Sequence, residues 1–309
     1  MSAPAQPQSQ PQVDSVLDQA ARENFPVAPR FLPEAWRDGL MAVYGYARLV
    51  DDIGDGDLAP GGGDARALGV APEHAEDRLA LLDALESDLH RVFRVAGTPG
   101  HGRPDASGPG HPLLAALVPV VARHGLTEQP FHALIEANRQ DQRVTRYATW
   151  EDLLGYCELS ANPVGRLVLA VTGTTSPERV RRSDAICTAL QIVEHLQDVA
   201  EDRARDRVYL PAEDMARFHV READLDAPTA SASLRALVAW ETERARVLLD
   251  EGAPLVRSVP GRLRLLLAGF VGGGRAAADA IAAAGFDVLA GPPRAGRLTR
   301  LRQTGAALR

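Results

Sequence analysis

Apolar residues in this chain recur at three- and four-residue steps almost wherever they occur, which leaves little room for anything but helices. Trp36, Leu40, Val43, Tyr44 and Ala47 follow that spacing, as a helix with one buried face requires. So do Leu79, Leu82, Leu85, Leu89 and Val92, and later Leu234, Leu237, Val238, Ala245 and Leu248. Alternating runs of Val, Ile and Thr joined by hairpin turns are nearly absent. The pattern predicts about eight to ten helices in an all-α, single-domain bundle. Many of these helices are rich in Ala and Leu over most of their circumference, as suits burial inside a large bundle.

Breaks in the pattern set the expected boundaries. Residues 1–13 (MSAPAQPQSQPQV) are too polar to bury anything and read as a disordered tail. Gly54 to Pro72 and Gly97 to Pro112 are dense in Gly and Pro and read as surface loops. From Gly291 onward the chain carries Pro292, Pro293 and five Arg, and a loosely ordered terminus over 291–309 is expected. One domain over 14–290 remains.

Charge and cysteine content exclude several functions. The 34 basic residues are all Arg, against 41 acidic ones and a net charge of −7. That balance gives no footing for nucleic acid. The lack of Lys removes Schiff-base and P-loop chemistry and leaves guanidinium as the anion clamp. Cys157 and Cys187 cannot make a disulfide framework and read as core thiols. No apolar run approaches the roughly 18 residues of a membrane span, and no basic start followed by an apolar stretch signals secretion. A soluble, cytoplasmic protein is the expectation. Gly272-Gly-Gly274 has no strand before it, so it reads as a helix break or close helix contact rather than a dinucleotide loop. The eight His show no HExxH-like spacing, and His195 reads as a packed or surface residue.

Two acidic stripes stand out. On an ideal helix Tyr44, Arg48, Asp51 and Asp55 fall within an arc of about 60°, and Val43, Ala47, Leu49 and Val50 between them are apolar. Gln191, Glu194, Asp198, Glu201, Asp202 and Arg205 share an arc of about 100°. Carboxylates four residues apart repel, more so when desolvated. Arg48 and Arg205 supply part of the missing positive charge. A divalent cation supplies the rest, and oxygen-only ligands point to Mg²⁺, which shares its shell with substrate phosphates. A single acidic run is more often a solvated face. Two runs, each with an Arg and each on an apolar helix, favour a diphosphate site.

At these residues the chain resembles the bacterial squalene/phytoene synthase family of head-to-head prenyl synthases. Tyr44-x-x-x-Arg48-x-x-Asp51-Asp52-x-x-Asp55 resembles its first aspartate motif. Gln191-x-x-Glu194-x-x-x-Asp198-x-x-Glu201-Asp202, followed by Arg207-Val-Tyr209-Leu-Pro211, resembles the second. Tyr156 to Leu167, containing Ala161, Pro163 and Gly165, is similar to the kinked central helix along the prenyl pocket. The likeness runs from about Glu23 to Asp287, nearly the whole chain. Within the family, Glu23-Asn-Phe25-Pro-Val-Ala28 and Ser183 to Gln191 look like the hydroxysqualene synthase branch of hopanoid biosynthesis. Glu194 and Gln197 depart from the family, which usually carries Asn and Arg there. Glu23 and Asn24 replace the Ser or Lys common near the donor diphosphate.

The resemblance implies an isoprenoid-synthase fold with a central prenyl-diphosphate cavity. It implies that Asp51, Asp55, Glu194, Asp198 and Asp202 hold Mg²⁺ ions on the diphosphate, with Asp52 supporting them. Arg48 and Tyr44 would bond the leaving diphosphate, while Gln191, Arg207 and Tyr209 would bind substrate. Phe25, Ala161, Val164, Gly165 and Val168 are the implied pocket residues; for the small ones a tight helix crossing is an equal alternative. Asp141 and Arg146 read as a salt-linked helix end. The implied reaction converts presqualene diphosphate to hydroxysqualene with water capture. The alternatives are a prenyltransferase making presqualene diphosphate or phytoene, and a non-catalytic scaffold for lipid diphosphate or partner enzymes of the same pathway. The apolar substrate and product leave room for peripheral membrane contact.

Overall fold

The computed structural model describes residues 28–97 and 108–309. The expected tail over 1–13, Phe25, and most of the Gly97–Pro112 loop lie outside these residues. Fourteen α-helical segments are present among the described residues, ten of them ten residues or longer. No strand accompanies them; a single parallel bridge joins Arg146 and Val208. The chain divides into two compact units, residues 1–139 and 140–309, within the stretch read as one domain.

The first unit is built from α1 (Glu34–Asp55), α2 (Gly63–Ala67), α3 (Arg78–Ala96), α4 (Pro112–His124) and most of α5 (Gln129–Asp141). Helices α1, α3 and α4 pack on one another. Their buried faces carry Leu40, Val43, Tyr46, Val50 and Ile53 from α1 and Leu82, Leu85, Leu89 and Val92 from α3. Each such side chain contributes about 1.5–3 kcal/mol when fully buried. Leu79, counted in the same apolar row, is exposed instead. The Tyr46 hydroxyl donates to the Phe131 carbonyl at 3.0 Å, and the two rings meet edge to face at 5.1 Å. Buried Asp88 starts α4: it accepts from the backbone N–H groups of Gly110 (2.7 Å) and His111 (2.9 Å). Helix α1 reaches Asp55, so the loop expected from Gly54 begins two residues later and contains α2.

The second unit holds α6 (Trp150–Ser160), α7 (Asn162–Val171), α8 (Pro177–Gln197), α9 (Val199–Ala204), α10 (Ala212–Arg217), α11 (Ala232–Gly252), α12 (Leu255–Ser258), α13 (Gly261–Ala283) and α14 (Arg297–Ala307). Helix α8 lies against α6, α7, α11 and α13. It is accordingly apolar on several sides, with Ile186, Ala189, Ile192, Val193 and Leu196 buried. A capping box starts α6, Thr149 Oγ1 accepting from Asp152 N at 3.1 Å and Asp152 Oδ2 from Thr149 N at 3.0 Å.

Two expectations about the C-terminal part are corrected. Helix α13 has the length and apolar content of a membrane span, which the sequence reading did not find. More than half of its apolar stretch is buried inside the fold, and two of its four charged residues are paired, Arg275 with Asp250 (2.5 Å) and Asp279 with Arg246 (2.8 Å). It is a core helix. The segment after Gly291, expected to be loosely ordered, contains α14, which packs on α13. Gly272 makes the contact possible, because a Cβ there would lie 2.4 Å from Thr304 N. Gln303 also donates to Asp279 at 2.6 Å.

Candidate active site

In the first unit, burial of Leu40, Val43, Tyr46, Val50 and Ile53 fixes the rotation of α1 and leaves its acidic row on another face. Tyr44, Arg48, Asp52 and Asp55 on that row are half-buried. Arg48 Nη2 contacts Asp52 Oδ1 at 2.6 Å. The guanidinium expected to face a diphosphate is thus steadied by the carboxylate expected to act in support. Arg48 Nε is buried with no protein acceptor, so the guanidinium has to shift before that N–H can meet a ligand oxygen.

Asp51 is held differently. Its Oδ1 accepts from Asn138 Nδ2 at 3.2 Å, while that amide also reaches the Leu134 carbonyl at 3.2 Å. Gly54 admits Asn138 to this position, since a Cβ there would stand 1.8 Å from Asn138 Oδ1. The Asp51 carboxyl can be reached by solvent, and neighbouring protein removes part of its hydration. That loss pushes its pKa up to about 7; the Asn138 hydrogen bond works against the rise, Asp55 adds to it, and Arg48 offsets part. A carboxylate so placed gains from a cation.

In the second unit, the acidic row does not lie on one continuous helix. Helix α8 ends at Gln197, Asp198 takes φ −106° and ψ 16°, and α9 resumes at Val199. The single face expected from Gln191 to Asp202 is corrected to two segments joined at a bend. Backbone bonds from Asp198 N to Glu194 O (3.0 Å) and from Asp202 N to Asp198 O (2.8 Å) survive, so the chain turns without unravelling. Glu194 is exposed, while Gln191, Asp198 and Asp202 are half-buried. Burial raises the pKa of Asp198, and the negative charges of Glu201 and Asp202 raise it further. Opposing them are His195 and Arg294, the latter from the segment after Gly291. The Gln197 amide donates to the Pro293 carbonyl in the same segment.

Behind this row lies an aromatic cluster that the sequence did not reveal. The His195 and Tyr209 rings stack at 3.7 Å and 11°. Gln191 Nε2 lies 3.1 Å from His195 Nε2, and Asp202 Oδ2 is 3.7 Å from His195 Nδ1. Asp141 accepts from the Tyr156 hydroxyl (2.8 Å) and the Tyr209 hydroxyl (3.2 Å). Burial raises the Asp141 pKa and its two hydroxyl partners lower it. Tyr209 is buried, with its hydroxyl on Asp141 and its ring on His195. His195, Asp202 and Arg207 edge a cavity of about 20 Å³ together with Tyr209 and Glu241, room for about one water.

The implied pocket residues divide. Ala161 marks the kink between α6 and α7, with φ −109° and ψ −47°, and Pro163 follows at the start of α7. Val164 is 37% exposed and Val168 is buried. Gly165 is a helix-crossing residue: a Cβ would meet Ser183 Oγ at 2.4 Å and Cys187 Sγ at 2.6 Å. Arg146 is salt-linked as expected, to Asp206 (2.7 Å) and Glu222 (2.8 Å). Asp141 is not part of that link. Its position between two polar residues in NRQDQRVTRY looks the same in sequence whether it caps a helix or gathers tyrosines. Asn138 likewise gives no signal apart from its contact with Asp51.

Comparison with known proteins places these rows in context. The squalene/phytoene synthase family profile matches residues 19–302. The hydroxysqualene synthase of Zymomonas mobilis is 33% identical over 234 residues, covering 75% of this chain and 69% of that protein. The 15-cis-phytoene synthase of Synechococcus elongatus is 31% identical over 249 residues, covering 77% and 72%. The crystal structure of squalene synthase HpnC from Alicyclobacillus acidocaldarius superposes with a TM-score of 0.73 at 38% identity, over 90% of this chain and 96% of that one.

Proposed function

Because this chain belongs to the squalene/phytoene synthase family, whose members act on prenyl diphosphates, we propose that it converts presqualene diphosphate to hydroxysqualene. Asp51 and Asp55 on α1, and Glu194, Asp198 and Asp202 around the α8–α9 bend, are the proposed Mg²⁺ ligands. Their fit to a cation rests on the acidic rows themselves, in which the pKa values of both Asp51 and Asp198 are raised. When bound, Mg²⁺ neutralises diphosphate charge and makes it a leaving group.

The protein's own residues do the rest. Arg48, steadied by Asp52, donates to the diphosphate with Tyr44 beside it. Arg207 adds a second guanidinium. Loss of diphosphate leaves a cyclopropylcarbinyl cation, which rearranges against apolar side chains such as Val164 and Val168. Exclusion of bulk water delays capture until the carbon skeleton has rearranged. One water then adds to give the allylic alcohol, and its proton leaves to solvent or diphosphate. The observation that carries this reading is the geometry of the first motif, Asp51 held by Asn138 at 3.2 Å beside an Arg48 paired with Asp52 at 2.6 Å.

The test is to incubate the purified chain with Mg²⁺ and, in separate reactions, presqualene diphosphate or farnesyl diphosphate, the former with and without reduced nicotinamide. Hydroxysqualene in both presqualene diphosphate reactions is the expected result. Consumption of farnesyl diphosphate with presqualene diphosphate untouched would instead support the prenyltransferase reading, which the 31% identity to a phytoene synthase favours. Replacing Asp51 or Asp198 with Asn is expected to cut turnover about a hundredfold or more. A scaffold would have no turnover to lose.

A further inference from the structure

Four residues that belong to neither acidic row meet where side chains of α3 and the start of α5 converge. Glu86-Ser-Asp-Leu-His90 and Glu128-Gln-Pro-Phe-His132 repeat one pattern, a Glu and a His four residues apart. On a helix that spacing puts both side chains on one face. The two pairs point at each other. His90 Nδ1 lies 2.7 Å from Glu128 Oε1, and His132 reaches Glu86 Oε1 with Nδ1 (2.9 Å) and Glu128 Oε1 with Nε2 (3.3 Å). One ligand atom each from Glu86, His90 and His132 fall within 4.8 Å of one another. Tetrahedral zinc places its ligand atoms about 3.3 Å apart, a change that rotamer adjustments in these partly exposed side chains can make.

We propose that Glu86, His90 and His132 bind a divalent transition-metal ion of the zinc class, with Glu128 orienting the imidazoles, and so clamp α3 to α5. Two imidazoles with one carboxylate, leaving a fourth position for water, suit such an ion, whereas Mg²⁺ prefers oxygen alone. Arg139 holds the other Glu86 oxygen at 2.6 Å, the kind of outer contact that orients a metal ligand. The clamp would steady α5, which carries Asn138 and through it Asp51.

The experiment uses the full chain stripped of metal, in excess Mg²⁺ to fill oxygen-only sites, titrated with Co²⁺ and then Zn²⁺. One equivalent of Co²⁺ with the intense visible bands of a four-coordinate ion, displaced by Zn²⁺, is expected, together with a higher unfolding temperature. His90→Gln and His132→Gln should weaken binding about tenfold or more and lose the thermal gain, while His74→Gln keeps both. His90 is exposed, so its replacement should leave the fold intact. A pale six-coordinate spectrum, or binding unaffected by both His substitutions, would overturn the proposal. Neither readout involves a prenyl substrate, so the outcome is separate from the proposed reaction.

Discussion

Asn138 reaches Asp51 only because residue 54 has no side chain. The first aspartate motif therefore contains a glycine whose role is to admit an amide from another helix. Gly54→Ala would force Asn138 aside. The expected cost is about 1–3 kcal/mol of stability from overpacking, along with a fall in turnover. Asn138→Ala removes the hydrogen bond without overpacking, so it should lower turnover with a smaller loss of stability. Urea unfolding and steady-state kinetics on both variants check this.

The second motif depends on Asp141 gathering two tyrosines. Tyr209→Phe keeps the stack on His195 but removes one hydroxyl from Asp141, at an expected cost of about 1 kcal/mol. Tyr209→Ala removes the stack as well and should lower turnover more than Phe does. Equal turnover in the two variants would show that the His195 ring needs no support from Tyr209.

Glu241 gives a pH signature. Burial, reinforced by a hydrogen bond with Asp214, raises its pKa from 4.5 to about 8, and Arg244 offsets part of the rise. Its folded value lies above its unfolded one, so between them the native state holds a proton that the unfolded chain has lost. Its contribution to stability is therefore full below about pH 4.5 and declines as pH rises towards about 8. Glu241→Gln should flatten that decline. Urea midpoints at about pH 5 and about pH 8.5 should differ less in the variant than in the parent.

Gly272→Ala tests the docking of α14. The added methyl would run into Thr304 backbone, and a loss of about 1–3 kcal/mol is expected. Protease cleavage near 291–296 should become faster if α14 leaves its seat, and mass spectrometry would locate the cut.

The helices and both acidic rows were legible because each rests on local spacing: apolar periodicity, and carboxylates three or four residues apart. What depends on contact between distant segments was not. The bend at Asp198 interrupts a run that an ideal helix would carry through. Asp52 was readable as a neighbour of Asp51, but the contact by which it steadies Arg48 was not. Helix α14 was hidden because its sequence is Arg-rich and follows two prolines, and it draws its order from the flat surface at Gly272. The Glu-x-x-x-His pairs escaped because each is unremarkable alone and takes meaning only when two helices bring them together.

The hydrogen bond from Gln197 to Pro293, with Arg294 beside Asp198, changes how this enzyme should be shortened or compared. A version ending at residue 290 would retain every acidic group of the second motif while losing the carbonyl and the cation that steady it. Inventories of the machinery drawn from the motifs alone would score such a truncation as intact, and relatives that diverge only beyond that residue deserve to be sorted by their tails as well as by their aspartates.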